Sequence, residues 1–261
     1  MRHAEFRFYE ELNDFLPPEK RKRAFDYRFD GTPSIKDAVE AVGVPHTEID
    51  VILADGRSVG FDYRLRGGER VAVYPMFEAL DVSPLVRLRP QPLRSTRFVV
   101  DVHLGALARH LRLIGFDTVW RNNLDDREIV DIALRERRII LTRDRGILRQ
   151  SRVTHGYWPR ATDPLVQLEE VVRALDLGTQ LQPYRRCLEC NGVLAPVEAA
   201  EVVSVVPHQV ASTQRDFKRC EGCGRIYWPG SHQQKLEAVV ARARAAAALP
   251  LHGTPCSTRQ P

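Results

Sequence analysis

Apolar and polar residues alternate with a period of two along Ala4-Glu5-Phe6-Arg7-Phe8-Tyr9 and again along Phe25-Asp26-Tyr27-Arg28-Phe29. That period predicts two half-buried strands able to pair as a hairpin. Between them, Pro17-Pro18 and the run Lys20-Arg21-Lys22-Arg23 predict an exposed, turn-like loop. Ser34, with Asp37 three positions on, predicts the capped start of a short helix over residues 34–41. Val51-Ile52-Leu53 predicts a buried strand, Asp55-Gly56 a turn, and Arg70-Val71-Ala72-Val73-Tyr74-Pro75 a last strand after Gly67-Gly68-Glu69. The order is ββαβ…β, a small α+β unit.

From residue 97 the rhythm changes to strand followed by helix. Phe98-Val99-Val100 is a short apolar run, and Leu104, Leu107, Ala108, Leu111 and Ile114 then fall on one helical face. Gly115 predicts the stop of that helix. Asp117-Thr118-Val119-Trp120 predicts a short strand, and a second helix starts near Asp126 with Ile129, Ile132 and Ala133 inward. Ile139-Ile140-Leu141 predicts another strand and Arg145 to Gln150 a turn. Tyr157-Trp158 is a weaker strand signal, and Asp163-Pro164 opens a helix bearing Leu165, Leu168, Val172 and Leu175. This alternation predicts an α/β parallel sheet flanked by helices. Val202-Val203-Ser204-Val205-Val206 predicts a strand inside a cysteine-containing module, and residues 237–249 an Ala/Arg helix, frayed because its alanines 245–248 bury little. Pro84, Pro90 and Pro92 predict a linker, and the tail from Pro250 is expected to be disordered. The expected divisions are 1–82, a linker at 83–96, then 97–180, 181–234 and a trailing 235–261.

With 261 residues, 43% hydrophobic and 28% charged, the chain reads as soluble and globular. It has no run of roughly 20 apolar residues, as a bilayer-spanning helix needs, and Met1-Arg2-His3-Ala4-Glu5 is not the start of a secretory signal. A cytoplasmic protein without membrane contact is expected. The net charge of +5 is unevenly placed: residues 1–85 carry 12 Lys/Arg against 16 Asp/Glu, and residues 86–261 carry 27 against 18. A basic surface suits a phosphate-backbone partner, although an Arg-rich chain with ordinary solvated faces gives the same count.

The candidate chemistry lies in that basic part. Asp101 follows one predicted strand, and Thr142-Arg143-Asp144 follows another. Aspartates at strand ends often cap the next turn or helix. Two of them at carboxyl ends of one parallel sheet can also converge on one crevice, where an oxygen-only set suits Mg²⁺ or Mn²⁺. Asp125 and Glu128 have capping-box spacing. That leaves Asp126 in the first helical turn, where the helix dipole favours its ionised form. Asp163 before Pro164 is explained as a helix cap, with a fourth metal-facing carboxylate as the alternative. Arg109 and Arg112 are expected on the polar face of the first helix, either solvated or guiding phosphate. Arg143 is placed to hold a phosphate bidentately.

Five cysteines stand at 187, 190, 220, 223 and 256. The pairs Cys187-x-x-Cys190 and Cys220-x-x-Cys223 predict a four-thiolate structural Zn²⁺ site. A redox dithiol is the alternative, and it leaves the paired spacing unexplained. Cys256 is unpaired in this scheme. Tyr227-Trp228 after the last ligand either packs the knuckle or offers a base-stacking platform.

Several separated blocks, in one order, carry a family resemblance. They are Phe98-Val99-Val100-Asp101, Leu104-Gly105-x-Leu107-Ala108-Arg109-x-Leu111-Arg112-x-x-Gly115-Phe116-Asp117, Ile140-Leu141-Thr142-Arg143-Asp144, Gln167-Leu168, the two cysteine pairs, and Tyr227-Trp228-x-Gly230-Ser231-His232. Residues 97–240 resemble the Mut-seven C-terminal RNase family, a PIN-like nuclease domain with a zinc ribbon. Residues 1–80 resemble the ubiquitin-like β-grasp domain that precedes it. The segment around Gly67-Gly68 is similar to the end of sulfur carriers. Those finish on a free Gly-Gly, whereas this chain runs on, so docking of a protein partner is expected in place of carrier chemistry. The resemblance implies Mg²⁺- or Mn²⁺-dependent hydrolysis of RNA, with Asp101, Asp126 and Asp144 at the acidic positions and Asp163 the nearby candidate for a fourth. The other class of function is a non-catalytic RNA- or ribosome-binding adaptor using the basic surface and the cysteine module.

Overall fold

The computed structural model describes residues 1–75, 96–230 and 233–248. Residues 83–95 of the expected 83–96 linker, Ser231-His232, Cys256 and the tail lie outside the described residues. The chain forms two compact units that do not follow its linear order. One holds residues 1–95 and 125–158, the other 96–124 and 159–261.

The first unit opens with strands β1 (Arg2–Phe8) and β2 (Phe25–Phe29), helix α1 (Ile35–Val42), and strands β3 (Ile49–Ala54), β4 (Arg57–Val59) and β5 (Arg70–Pro75). They form a five-stranded sheet in the order β2-β1-β5-β3-β4. The expected hairpin pairs β1 with β2 antiparallel, while β1 runs parallel to β5. Ser34 and Asp37 make the predicted capping box, and Gly43 closes α1 at φ 114°. The segment after β1 differs from the expected exposed loop. Residues Glu10–Phe15 form a 3₁₀ turn, and Leu12, Phe15 and Leu16 are buried in the same core as Phe6, Ile35 and Ile52. Their apolar spacing outweighs the prolines that follow.

The chain then enters the second unit with β6 (Arg97–Val100), α2 (Gly105–Leu113) and β7 (Asp117–Val119). Strands β6 and β7 pair in parallel, and Phe98, Val99 and Val100 are fully buried. Gly115 ends α2 at φ 107°. A Cβ there would also overlap the Gln182 carbonyl, so two constraints fix glycine at this stop.

Residues 125–158 return to the first unit as α3 (Asp126–Glu136), β8 (Ile139–Leu141), α4 (Arg145–Leu148) and β9 (Gly156–Tyr157). Strands β8 and β9 are again parallel. Polar clamps join this segment to the N-terminal sheet unit. Arg149 donates to the Gly43 carbonyl at 2.8 Å, and the Trp158 amide donates to Glu48 at 2.9 Å. His46 bonds the Val153 carbonyl through Nε2 at 2.8 Å and meets Glu40 through Nδ1 at 2.6 Å. A carbonyl only accepts, so Nε2 carries a proton. Phe15 and Trp158 lie against each other, and the Arg145 guanidinium sits over both rings.

The chain ends in the second unit. Helix α5 (Pro164–Ala174) is followed by β10 (Leu194–Val197), α6 (Ala199–Val202), α7 (His208–Thr213), β11 (Phe217–Cys220), β12 (Ile226–Tyr227) and α8 (Gln233–Ala248). Strands β10, β11 and β12 form an antiparallel sheet. The strand expected over 202–206 is not formed. Val202 and Val206, four apart, turn inward on Phe217, while Val203 and Val205 are exposed. That is helical spacing, not a pleat. In the alanine run of α8, Ala245 and Ala248 are exposed as expected, but Ala246 is buried, like Ala243 before the run, and Gly178 approaches Ala247 closely. Small side chains bring this helix close to its neighbours, and Arg242 pairs with Glu169 of α5 at 2.6 Å.

Candidate functional site

Asp101 stands directly after β6 and is 7% exposed. Its carboxylate accepts from the His103 amide at 3.3 Å, capping the turn that leads into α2. Asp144 follows β8. It accepts the Gly146 amide at 2.6 Å as the cap of α4, and its own amide donates to the Thr142 hydroxyl at 2.9 Å. The threonine thus fixes the strand end, as its position suggested. Asp125 and Glu128 form the expected capping box at the head of α3, which puts Asp126 in the first turn, exposed to solvent. Asp163 caps α5 through the Leu165 and Val166 amides at 2.9 and 3.0 Å.

Capping uses one carboxylate oxygen at Asp101, Asp144 and Asp163. A carboxylate has acceptor capacity beyond one such bond, and a helix start favours its ionised form. Each of these side chains offers oxygen, the donor that hard divalent cations take, but among the described residues the aspartates form no group of three or more placed on one ion. Asp101 and Asp163 belong to one compact unit, Asp126 and Asp144 to the other.

The arginines divide. Arg143 is exposed, and its carbonyl accepts from the Trp158 indole at 3.2 Å. Arg109 is exposed on α2 and pairs with Glu189 at 2.8 Å. Arg112 is not on a polar face. It is 2% exposed, and its guanidinium donates to the carbonyls of Thr118, Leu188, Glu189 and Trp120 at 3.0, 2.9, 2.8 and 3.4 Å. All four of these bonds end on backbone, so Arg112 fastens main chain and is not proposed as a phosphate contact. Helical periodicity places a long side chain without fixing what its head reaches.

The four cysteines do come together. Their sulfurs all lie within 4.8 Å of one another, with Cys187–Cys223 at 3.8 Å and Cys190–Cys220 at 3.3 Å. A tetrahedral ion with metal–sulfur bonds of about 2.3 Å sets sulfurs roughly 3.8 Å apart, so this set fits such an ion. Amides point at the sulfurs as in a metal knuckle: Cys190 to Cys187 at 3.5 Å, Gly192 to Cys190 at 3.4 Å, and Cys223 to Cys220 at 3.4 Å. Burial raises the Cys187 thiol, but the Cys190 and Glu189 amides and the Tyr227 hydroxyl outweigh it and bring it to about 6. Burial pushes Cys190 up to about 12. A bound cation favours the thiolate form of all four.

Two supports of this cluster were not anticipated. The Tyr227 hydroxyl contacts Cys187 Sγ at 3.0 Å and accepts from the Leu188 amide at 3.2 Å. Asn191, at φ 70°, accepts from the Thr118 amide at 2.9 Å and donates to Asp117 at 2.7 Å. With Arg112, it fastens the first knuckle to the edge strand β7. Asn directly after a C-x-x-C pair is the signal that could have exposed this, because Asn tolerates a left-handed backbone.

A family model of the Mut7-C RNAse domain matches residues 96–240. A model of the Mut7-C ubiquitin domain matches residues 1–81. No curated protein matches the chain. Among solved structures, the chain is similar to the small archaeal modifier protein 1 of H. volcanii, at 17% identity, over 30% of this chain and 100% of that one, with a TM-score of 0.25.

Proposed function

This chain belongs to the Mut7-C RNAse domain family, and from that membership we propose a metal-dependent ribonuclease that hydrolyses RNA phosphodiester bonds. The observation that carries the proposal is that the family match encloses all four aspartates, with Asp101 buried at the carboxyl end of β6. In this reading Asp101, Asp126 and Asp144 hold Mg²⁺ or Mn²⁺, and Asp163 is the candidate for a fourth carboxylate. A divalent cation bound there supplies a nucleophile at neutral pH and offsets charge on the phosphate. Arg109 and Arg143 position the RNA backbone by charge-assisted hydrogen bonds. The capping bonds keep the Asp101, Asp144 and Asp163 side chains oriented before any ion arrives.

The same proposal takes the α/β part as PIN-like, the cysteine module as a Zn²⁺ ribbon that serves structure only, and the protein as cytoplasmic. It divides the chain at 1–82, 97–180 and 181–234, with 83–96 as the connecting segment. The ubiquitin-like domain over 1–81 is proposed to dock a protein partner. No helix among the described residues is long and apolar enough to cross a membrane.

The test is a panel of divalent metals on mixed RNA and DNA, run with the parent chain and with Asp144→Asn. The expected result is Mg²⁺- or Mn²⁺-dependent cleavage of single-stranded RNA that Asp144→Asn abolishes while its folding is unchanged. Undiminished cleavage by the variant overturns the assignment. One observation favours a second reading, a non-catalytic RNA- or ribosome-binding adaptor: Asp101, Asp144 and Asp163 each have a complete role as caps. That reading predicts salt-sensitive RNA binding and no cleavage with any metal.

A further inference from the structure

A cavity of about 850 Å³ is lined by the β11–β12 hairpin, the residues after it, and the first turns of α8. Nothing in the proposed chemistry uses it. Its size is in the range of about 300–1,000 Å³ that small-molecule sites occupy. Three of its lining residues are aromatic: Tyr184, Tyr227 and Trp228. Tyr227 is committed to Cys187, but Trp228 is 37% exposed, with its ring tilted against Phe217 at 6.5 Å. A large aromatic ring fixed on one side and open on the other is a stacking platform.

Polar groups surround that platform. Lys218 and Arg225 line the cavity. Arg225 is exposed, while Lys218 is partly engaged, donating to the Tyr184 carbonyl at 3.0 Å. The Tyr184 hydroxyl is buried without a hydrogen-bond partner among the described residues, and its backbone sits at φ 61°. A bulky residue rarely takes that conformation, and a buried polar atom rarely goes unpaired. Both features are common where a ligand completes a site. Asp216 also lines the cavity; it can accept from an exocyclic amine and keeps phosphate away from its own end.

We infer that this cavity takes an unpaired nucleobase of an RNA strand, stacked on Trp228, with the adjoining phosphate at Arg225. An aliphatic side chain of a peptide would fill the apolar lining but would not use the guanidinium. A nucleotide uses both: a π face on Trp228 and an anion at Arg225. Bases inside a duplex offer no free face, so the site selects single strands. The inference rests on RNA being the substrate class, and it assigns a place on the molecule where one base is gripped.

The test is fluorescence anisotropy of the full-length, zinc-loaded chain with labelled single-stranded RNA, in an Asp144→Asn background so that cleavage does not intervene. Trp228→Ala is expected to weaken binding about tenfold, as losing one stacked base does. Trp228→Phe is expected to restore it to within about twofold. Arg225→Ala is expected to lower the salt slope by about 0.7, the contribution of one phosphate on a single strand. Zinc content of about one per chain in each variant shows that the module is folded. Unweakened RNA binding by zinc-loaded Trp228→Ala, or displacement by an apolar peptide but not by a mononucleotide, overturns the inference. Cleavage that survives Asp144→Asn overturns the role of Asp144 instead, absence of cleavage by the parent chain with any metal overturns the nuclease reading, and in either case the anisotropy result judges the cavity alone.

Discussion

Arg112 donates a hydrogen bond to the main-chain carbonyl of Glu189 at 2.8 Å, joining a helix of the α/β core to the first cysteine knuckle. The same residue, Glu189, gives its carboxylate to Arg109, one helical turn earlier. One helix face therefore holds both the backbone and the side chain of a single knuckle residue.

Replacing Arg112 by Leu removes charge-assisted donors from four carbonyls at once. Hydrogen bonds to charged groups contribute about 1.5–3 kcal/mol each. With relaxation, a loss of about 3 kcal/mol in urea unfolding is expected, together with faster release of metal to a chelator. Arg112→Lys is expected to recover little, since an ammonium lacks the planar fork. An unchanged urea midpoint for Arg112→Leu would refute the fastening role.

Tyr227→Phe keeps the ring and deletes the hydroxyl that contacts Cys187. Partners of metal ligands are worth about 10–100-fold in affinity. The variant is expected to bind one zinc per chain with affinity lower by about tenfold, read by chelator competition. Cys223→Ser, in contrast, removes a ligand and is expected to lose the metal outright.

His110 of α2 contacts the Pro164 carbonyl at 3.4 Å. Burial lowers its pKa, and that carbonyl and Asp163 only partly oppose the shift. The folded imidazole thus takes a proton less readily than the unfolded one, whose pKa is about 6.5. In the window below that value the unfolded state binds more protons, so stability rises with pH and is lost as pH falls. His110→Gln is expected to flatten the stability profile below about pH 6.5. A slope identical to that of the parent would exclude His110 as its source.

Trp158 ties the Asp144 segment to the N-terminal sheet unit through Glu48 and Phe15, and its indole holds the Arg143 carbonyl. Trp158→Ala is expected to destabilise the first unit by about 2–3 kcal/mol, below the 3–5 kcal/mol of a fully buried ring. A chain starting at residue 96 loses these partners altogether and is expected to be aggregation-prone. A soluble, cooperatively melting truncation would show the clamps to be dispensable.

Much of the fold was legible because its signals are local. Ser34 with Asp37, Asp125 with Glu128, and Asp163 with Pro164 each mark a helix start by backbone chemistry alone. The apolar runs 98–100 and 139–141 could be read as strands for the same reason. Arg112 and Val202 could not, because what decides them is a partner far along the chain: the carbonyls of residues 188 and 189 for one, Phe217 for the other. The candidate site shows the same division. The capping roles of Asp101, Asp144 and Asp163 follow from their neighbours in sequence. The clamps formed by His46, Glu48 and Trp158 join positions about a hundred residues apart, beyond any local period.

The interleaving of the two units has a consequence during synthesis. Roughly 80 residues separate Pro75 from Trp158, which a ribosome moving at about 5–20 residues per second takes roughly 4 to 16 seconds to add. Until they emerge, the surfaces that will receive Val153, Arg149 and Trp158 stay open to the surrounding solution. Translation speed across this interval then becomes a determinant of yield, and slow codons there should raise the fraction lost to aggregation.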